Sequence, residues 1–150
     1  MSNSNTKQHS IDLAEVTSLL FTNCHEKESR HASKYRLSVV EFRCIRILHS
    51  KKKLTVNQLA QEMCLTSSRV TRIIDGLVAK KLVNRVSGEN DRRVYNLSLT
   101  SKGEKLANES IQDHIKIHEE IIHHIPEEYH QSMLEMLKKL NEAVECWLDK

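Results

Sequence analysis

The sequence predicts a mainly α-helical fold carrying one small β-hairpin, and three observations predict it. Only 3 Gly and 1 Pro occur in 150 residues, too few punctuators for a fold of many turns. Apolar residues recur at helical spacing along most of the chain. Only after Leu82 does the period switch to two, where Tyr95, Leu97 and Leu99 alternate with Asn96 and Ser98.

Taken in order, residues 1–10 are polar and are expected as a disordered arm. Leu13, Val16, Leu19 and Leu20 then give a first helix over about 11–33. Ser38 with Glu41 three residues on forms a capping box for a second, which buries Val39, Phe42, Ile45 and Leu48. Thr55 caps a short third helix, and Thr66 or Ser67 caps a fourth whose apolar stripe is Val70, Ile73, Ile74 and Leu77. That stripe leaves Ser67, Ser68, Arg69, Thr71 and Arg72 largely on the open side. The hairpin turns through Ser87–Asp91. A long helix follows from Thr100 to about His124, with Ile111, Ile115, His118, Ile122 and Ile125 as a seam for a partner helix. Pro126, Glu127 and Glu128 open a last helix carrying Leu134, Leu137, Leu140, Val144, Trp147 and Leu148.

Helix–turn–helix followed by a hairpin is the order of a winged helix-turn-helix, here about residues 38–100, a module that sets its second reading helix in the DNA major groove. Charge agrees. Residues 51–105 carry 12 Lys/Arg against 5 Asp/Glu, whereas residues 106–150 carry 4 against 10. A basic middle beside an acidic end points to a local polyanion site. Ser67, Ser68, Arg69, Thr71 and Arg72 on the fourth helix and Arg92 and Arg93 on the hairpin are the candidate DNA contacts, with Lys51, Lys53 and Arg85 as phosphate contacts only. The helices at about 11–33 and 101–148 are not needed for a winged helix. Their apolar faces predict a twofold dimer, which suits a palindromic operator in double-stranded DNA. Residues 11–150 are read as a single domain.

The segment from Leu54 to Arg85, LTVNQLAQEMCLTSSRVTRIIDGLVAKKLVNR, and the run Asp91-Arg92-Arg93 with Leu97, Leu99, Thr100 and Gly103 resemble the helix-turn-helix and wing signature of the MarR family of bacterial transcriptional regulators. The resemblance covers element order over about 11–148 and motif detail over 38–103. It implies a homodimeric regulator, more often a repressor, whose recognition helices enter adjacent major grooves. It also implies that Arg93 reaches a flanking minor groove while Asp91 orients wing arginines. Members commonly respond to a small molecule, metal or oxidant bound between the DNA-binding lobes and the dimer helices.

Which signal this chain would sense stays open, and no cofactor is required by the sequence. A transition-metal reading rests on His114 and His118, four apart on one helix face, and on Cys24, Glu28 and His31, which share a face of the first helix with His25 adjacent. Against it, Arg43 and Cys44 stand where the family's zinc-responsive branch places a histidine. A redox reading rests on Cys24, Cys44 and Cys64. The scattered cysteines include no C-x-x-C pair and are expected as free thiols, with Cys44 and Cys146 in buried packing roles. No phosphate loop or nucleophile motif marks an enzyme. Neither a run of about 18 apolar residues nor a signal-peptide pattern occurs, so a cytoplasmic protein is expected. A protein-interaction module and a non-specific architectural DNA binder are the rival readings.

Overall fold

The computed structural model describes residues 2–87 and 95–149. The chain parts into two compact units, Met1–Asn108 and Glu109–Lys150.

In the first unit, α1 (Ser2–Lys34) begins earlier than the sequence suggests. Residues 2–10, expected as a disordered arm, continue the helix. Once a helix is nucleated, each added residue gains a backbone hydrogen bond at low cost. The Gln8 amide also donates to Asp12 one turn on, at 2.7 Å.

Helix α2 (Val39–Lys51) starts at Ser38, whose hydroxyl accepts from Glu41 N–H while the Glu41 carboxylate accepts from Ser38 N–H at 2.9 Å. It buries Phe42, Cys44, Ile45 and Leu48. A two-residue strand that the sequence does not announce, β1 (Leu54–Thr55), leads into α3 (Val56–Glu62). Thr55 is both strand and cap, in a capping box with Gln58. Helix α4 (Ser67–Ala79) is capped by Thr66 and buries Val70, Ile74 and Leu77.

Strands β2 (Val83–Ser87) and β3 (Tyr95–Leu99) pair antiparallel, with Val83 opposite Leu99, Arg85 opposite Leu97 and Ser87 opposite Tyr95. β1 adds to the far side of β3, Leu54 opposite Leu97, so the sheet order is β1-β3-β2. One core then serves α2, α3, α4 and the sheet, with Phe42, Ile45, Leu48, Leu59, Ile74, Leu77 and Leu97 all fully enclosed.

Three connections in this unit share one device. Arg36, Cys64 and Lys81 have φ of 56°, 52° and 60°, a left-handed conformation that usually falls to glycine. Each is followed by a leucine whose N–H bonds back five residues into the helix: Leu37 to Ala32, Leu65 to Ala60 and Leu82 to Leu77. These are Schellman ends, and burial of the following leucine offsets the left-handed strain, most completely for Leu82 and Leu37.

Helix α5 (Ser101–His123) crosses from the first unit into the second. Its start is fixed by Thr100, whose hydroxyl accepts from Gly103 N–H at 3.0 Å and donates to Lys81 O at 2.8 Å. In the second unit Pro126 precedes a single 3-10 turn, Glu127–Tyr129, before α6 (His130–Leu148). The expected last helix thus begins with a tighter turn, held where His130 Nε2 meets Ile125 O at 2.8 Å.

Both units leave apolar residues in solvent. On α1 these are Ile11, Leu13, Val16, Leu19, Leu20 and Phe21, and on α6 they include Leu134, Leu137, Val144, Trp147 and Leu148. Isolated exposed apolar residues are ordinary, but rows of them along a helix mark a surface meant to be covered.

Candidate nucleic-acid interface

Helix α4 presents its polar side to solvent, as its stripe requires. Ser67, Ser68, Arg69 and Arg72 are exposed and Thr71 is half-buried. Not every one of these groups is equally available. The Ser67 hydroxyl donates to Asn57 Oδ1 at 2.8 Å, tying the start of α4 to the start of α3. The Thr71 hydroxyl is turned back onto Ser67 O at 2.9 Å. Ser68 Oγ lies 3.2 Å from Thr66 Oγ1, at the capping end of the helix.

Arg69 and Arg72 differ from several cations of this unit. Among the described residues neither forms an ion pair, whereas Lys80 sits 2.8 Å from the Glu41 carboxylate, Lys51 3.5 Å from Glu62, and Arg43 donates to Glu28 at 2.9 Å. An exposed, unpaired guanidinium one turn from another is what a polyanion can engage without breaking an existing pair. Lys51, expected as a phosphate contact, is therefore already partnered.

Arg85 departs further from expectation. Its guanidinium is turned toward the protein, with Nη1 donating to Asp75 Oδ1 at 3.0 Å and Cζ lying 4.0 Å from the Tyr95 ring centre. One edge of the guanidinium is thus held by a carboxylate inside the protein, so less of Arg85 is free for a phosphate than its charge alone suggests. Asp91, Arg92 and Arg93 lie outside the described residues.

Two carboxylates are held by the network behind α4. Burial raises the Glu41 pKa, but hydrogen bonds from Lys80 and Ser38 outweigh it and hold the group below its ordinary 4.5. The Arg43 hydrogen bond does the same for Glu28 against a smaller desolvation cost.

The metal reading finds no support. Among the described residues no group of three or more His, Cys, Asp or Glu could hold a metal ion. The His31 ring is buried edge-on against Phe42 at 4.9 Å and Tyr35 at 5.7 Å. His118 Nδ1 lies 2.7 Å from the His114 carbonyl, and the two rings stand 4.3 Å apart. Cys24 and His25 are exposed. A shared helix face fixed which way these residues point without assembling a third ligand. Of the thiols, Cys44 is buried, with desolvation pushing its pKa up to about 12, as an inert packing thiol requires. Cys24, Cys64 and Cys146 are exposed in the isolated chain, so the buried role expected of Cys146 is not met within one copy.

Residues 37–95, from the end of α1 into β3, match the model of the MarR family. Over that segment the chain is similar to the MarR family. The curated HTH-type transcriptional regulator MhqR of Bacillus subtilis is 29% identical over 133 residues, spanning 89% of this chain and 92% of its own. The structure of Streptococcus pneumoniae FabT in complex with DNA superposes with a TM-score of 0.76 at 25% identity, covering 90% of this chain and 99% of that one. YusO from Bacillus subtilis gives 0.77 at 25% identity over 91% and 97%. MarR-family proteins are transcriptional regulators, and the small antiparallel sheet against α4 is their wing. Among the described residues no helix is long and apolar enough to cross a membrane.

Proposed function

We propose that this chain is a cytoplasmic, sequence-specific DNA-binding transcriptional regulator that works as a homodimer on a palindromic duplex. It acts by occupancy and not by catalysis. The observation that carries the reading is the exposed, unpaired pair Arg69 and Arg72 on a capped helix, in a fold shared with a protein solved on DNA.

In this reading α4 is the recognition helix. Arg72 and Ser68 face bases, Arg69 faces bases or the nearby backbone, and Ser67 and Thr71 hold the helix start as well as line the groove. Arg92 and Arg93 serve from the wing, Arg93 in the minor groove, where narrow A·T tracts favour a guanidinium. Asp91 orients them. The apolar rows of α1 and α6 bury themselves against a second copy, and two reading helices about one turn of DNA apart follow from that symmetry. Repression follows when the palindrome overlaps a promoter. An effector, whether a small molecule, a metal or an oxidant, then changes the fit of the two half-sites.

Fluorescence anisotropy on the duplex upstream of the protein's own gene, against a random duplex of equal length, tests this. A regulator favours the operator by about 10³-fold or more, with affinity falling steeply as salt displaces released counterions. Equal binding to both duplexes would make the chain an architectural binder, and no salt dependence would make it a protein-interaction module.

A further inference from the structure

Arg85 is both stacked on an aromatic ring and salt-bridged. It sits on β2 opposite Leu97, which is fully buried, so its side chain leaves the sheet on the face that packs against the helices. Only 28% of that side chain is exposed. Three elements meet on it: Asp75 of α4 takes Nη1 at 3.0 Å, Tyr95 of β3 stacks at 4.0 Å, and β2 supplies the backbone. Its Nε is buried without a hydrogen-bond partner among the described residues. That is a cost a solvated phosphate contact would not carry.

Leu77 of α4 and Val83 and Leu97 of the sheet lie in one buried apolar core. Apolar contact sets a distance but only weakly sets an angle. A planar guanidinium, stacked on one side and bonded at its edge, sets both. The angle has consequences because the hairpin is a lever. A five-residue strand is about 16 Å long at ~3.3 Å per residue, so a tilt of about 5° moves its outer end by about 1.4 Å. A hydrogen bond does not survive such a displacement.

We infer that Arg85 is a positioning residue for DNA reading: by joining Asp75 and Tyr95 it fixes the angle between recognition helix and wing, so that both grooves are met at once. This rests on the DNA-binding reading above. Asp75 is thereby also a functional residue, although a carboxylate on the reading helix is by itself repelled by DNA.

The repulsion gives the test its sign. Operator binding by the full-length protein is measured for R85A, R85K and D75N against salt concentration, together with each variant's thermal midpoint. The positioning role expects R85A and D75N each to weaken operator binding by about tenfold or more. It further expects the slope of log affinity against log salt to hold at its wild-type value, with midpoints within a few degrees of wild type. R85K keeps the charge but not the planar stack, and recovers only part of the loss. The double variant R85A/D75N is no weaker than the worse single one, because both remove the same link. The inference is overturned if D75N binds as well as or better than wild type while R85A lowers the slope by about one, the mark of a lost phosphate contact. Losses that follow thermal destabilisation step for step overturn it as well. Wild-type protein without salt-dependent, selective binding overturns the regulator reading itself, and this role with it.

Discussion

Gly103 offers a stability prediction in which two effects of opposite sign compete. It lies in the first turn of α5, where helix propensity alone says that Gly103→Ala stabilises by about 1 kcal/mol. The local packing says otherwise. A Cβ built there stands 2.1 Å from the Leu82 carbonyl oxygen and 3.3 Å from Leu99 Cβ. The obstacle is backbone, not the end of a flexible side chain. Reaching an ordinary contact of ~3 Å means separating α5 from the α4–β2 connection by roughly 1 Å, an overpacking strain of about 1–3 kcal/mol. That carbonyl also accepts from Thr100 N–H at 3.0 Å, in a connection where Leu82 is 3% exposed. Stretching the bond adds about 1–3 kcal/mol for the group left poorly satisfied. The net expectation is a loss of about 1–5 kcal/mol, read as a lower urea midpoint at unchanged slope and fixed protomer concentration. Gly76→Ala is the internal control. Its Cβ meets only Glu41 Oε1, at 3.2 Å, a side-chain end that can yield, so that variant should be neutral or slightly stabilised. A G103A protein as stable as wild type would refute the steric argument.

Three further outcomes are expected. Glu28 and Glu41 are both held below 4.5 when folded, so their contribution is complete above about pH 4.5 and is lost as pH falls through the lower folded values. Glu41→Gln should flatten the acid limb of a urea-midpoint series from pH 7 to 3, and an unchanged limb would remove Glu41 from that account. Arg72→Ala should weaken operator binding and also narrow the gap between operator and random duplex. An equal loss on both would demote it to a phosphate contact. Trp147 is the single tryptophan and is 69% exposed in the isolated chain. If the dimer covers α6, its emission lies to the blue of a solvated indole and moves red on dilution; a maximum independent of concentration and already fully red would place α6 outside the interface.

The reading unit was legible because its signals are local. Ser38 with Glu41, Thr55 and Thr66 cap their helices where the side chains say they should, and the stripe of Val70, Ile74 and Leu77 set which face of α4 stayed open. The run ending in Leu99, Thr100 and Gly103 has a physical reason visible only in three dimensions: Thr100 caps α5, and only glycine clears the Leu82 carbonyl. Helix ends were harder to read, since Arg36, Cys64 and Lys81 take the left-handed turn without a glycine to announce it. β1 was invisible because two residues have no periodicity, and Leu54 becomes strand only by pairing with Leu97. The start of α1 was missed because polar Ser and Asn residues suggest a free arm when no apolar stripe reaches them. The partners of Arg85 were hidden for a related reason: charge identifies a cation, but not the Asp75 and Tyr95 that folding brings to it, each ten residues away.

The anchors around α4 constrain how a signal could act on it. Its start is tied to α3 through Ser67 and Asn57 at 2.8 Å. Its far end is tied to α2 through Lys80, which reaches both the Glu41 carboxylate and Arg36 O. Its flank is tied to the wing through Asp75 and Arg85 at 3.0 Å. Reorienting α4 inside its own lobe therefore means breaking three polar links as well as repacking Val70, Ile74 and Leu77. Exposed polar links are each worth about 1 kcal/mol or less, but burial of three apolar side chains adds several more. Allosteric coupling is ordinarily 1–3 kcal/mol. In the proposed dimer, moving one whole lobe against the other breaks none of these anchors. On that reading the cheaper path for an effector is to change the distance between the two reading units, and a palindrome of fixed half-site spacing would convert that distance into affinity.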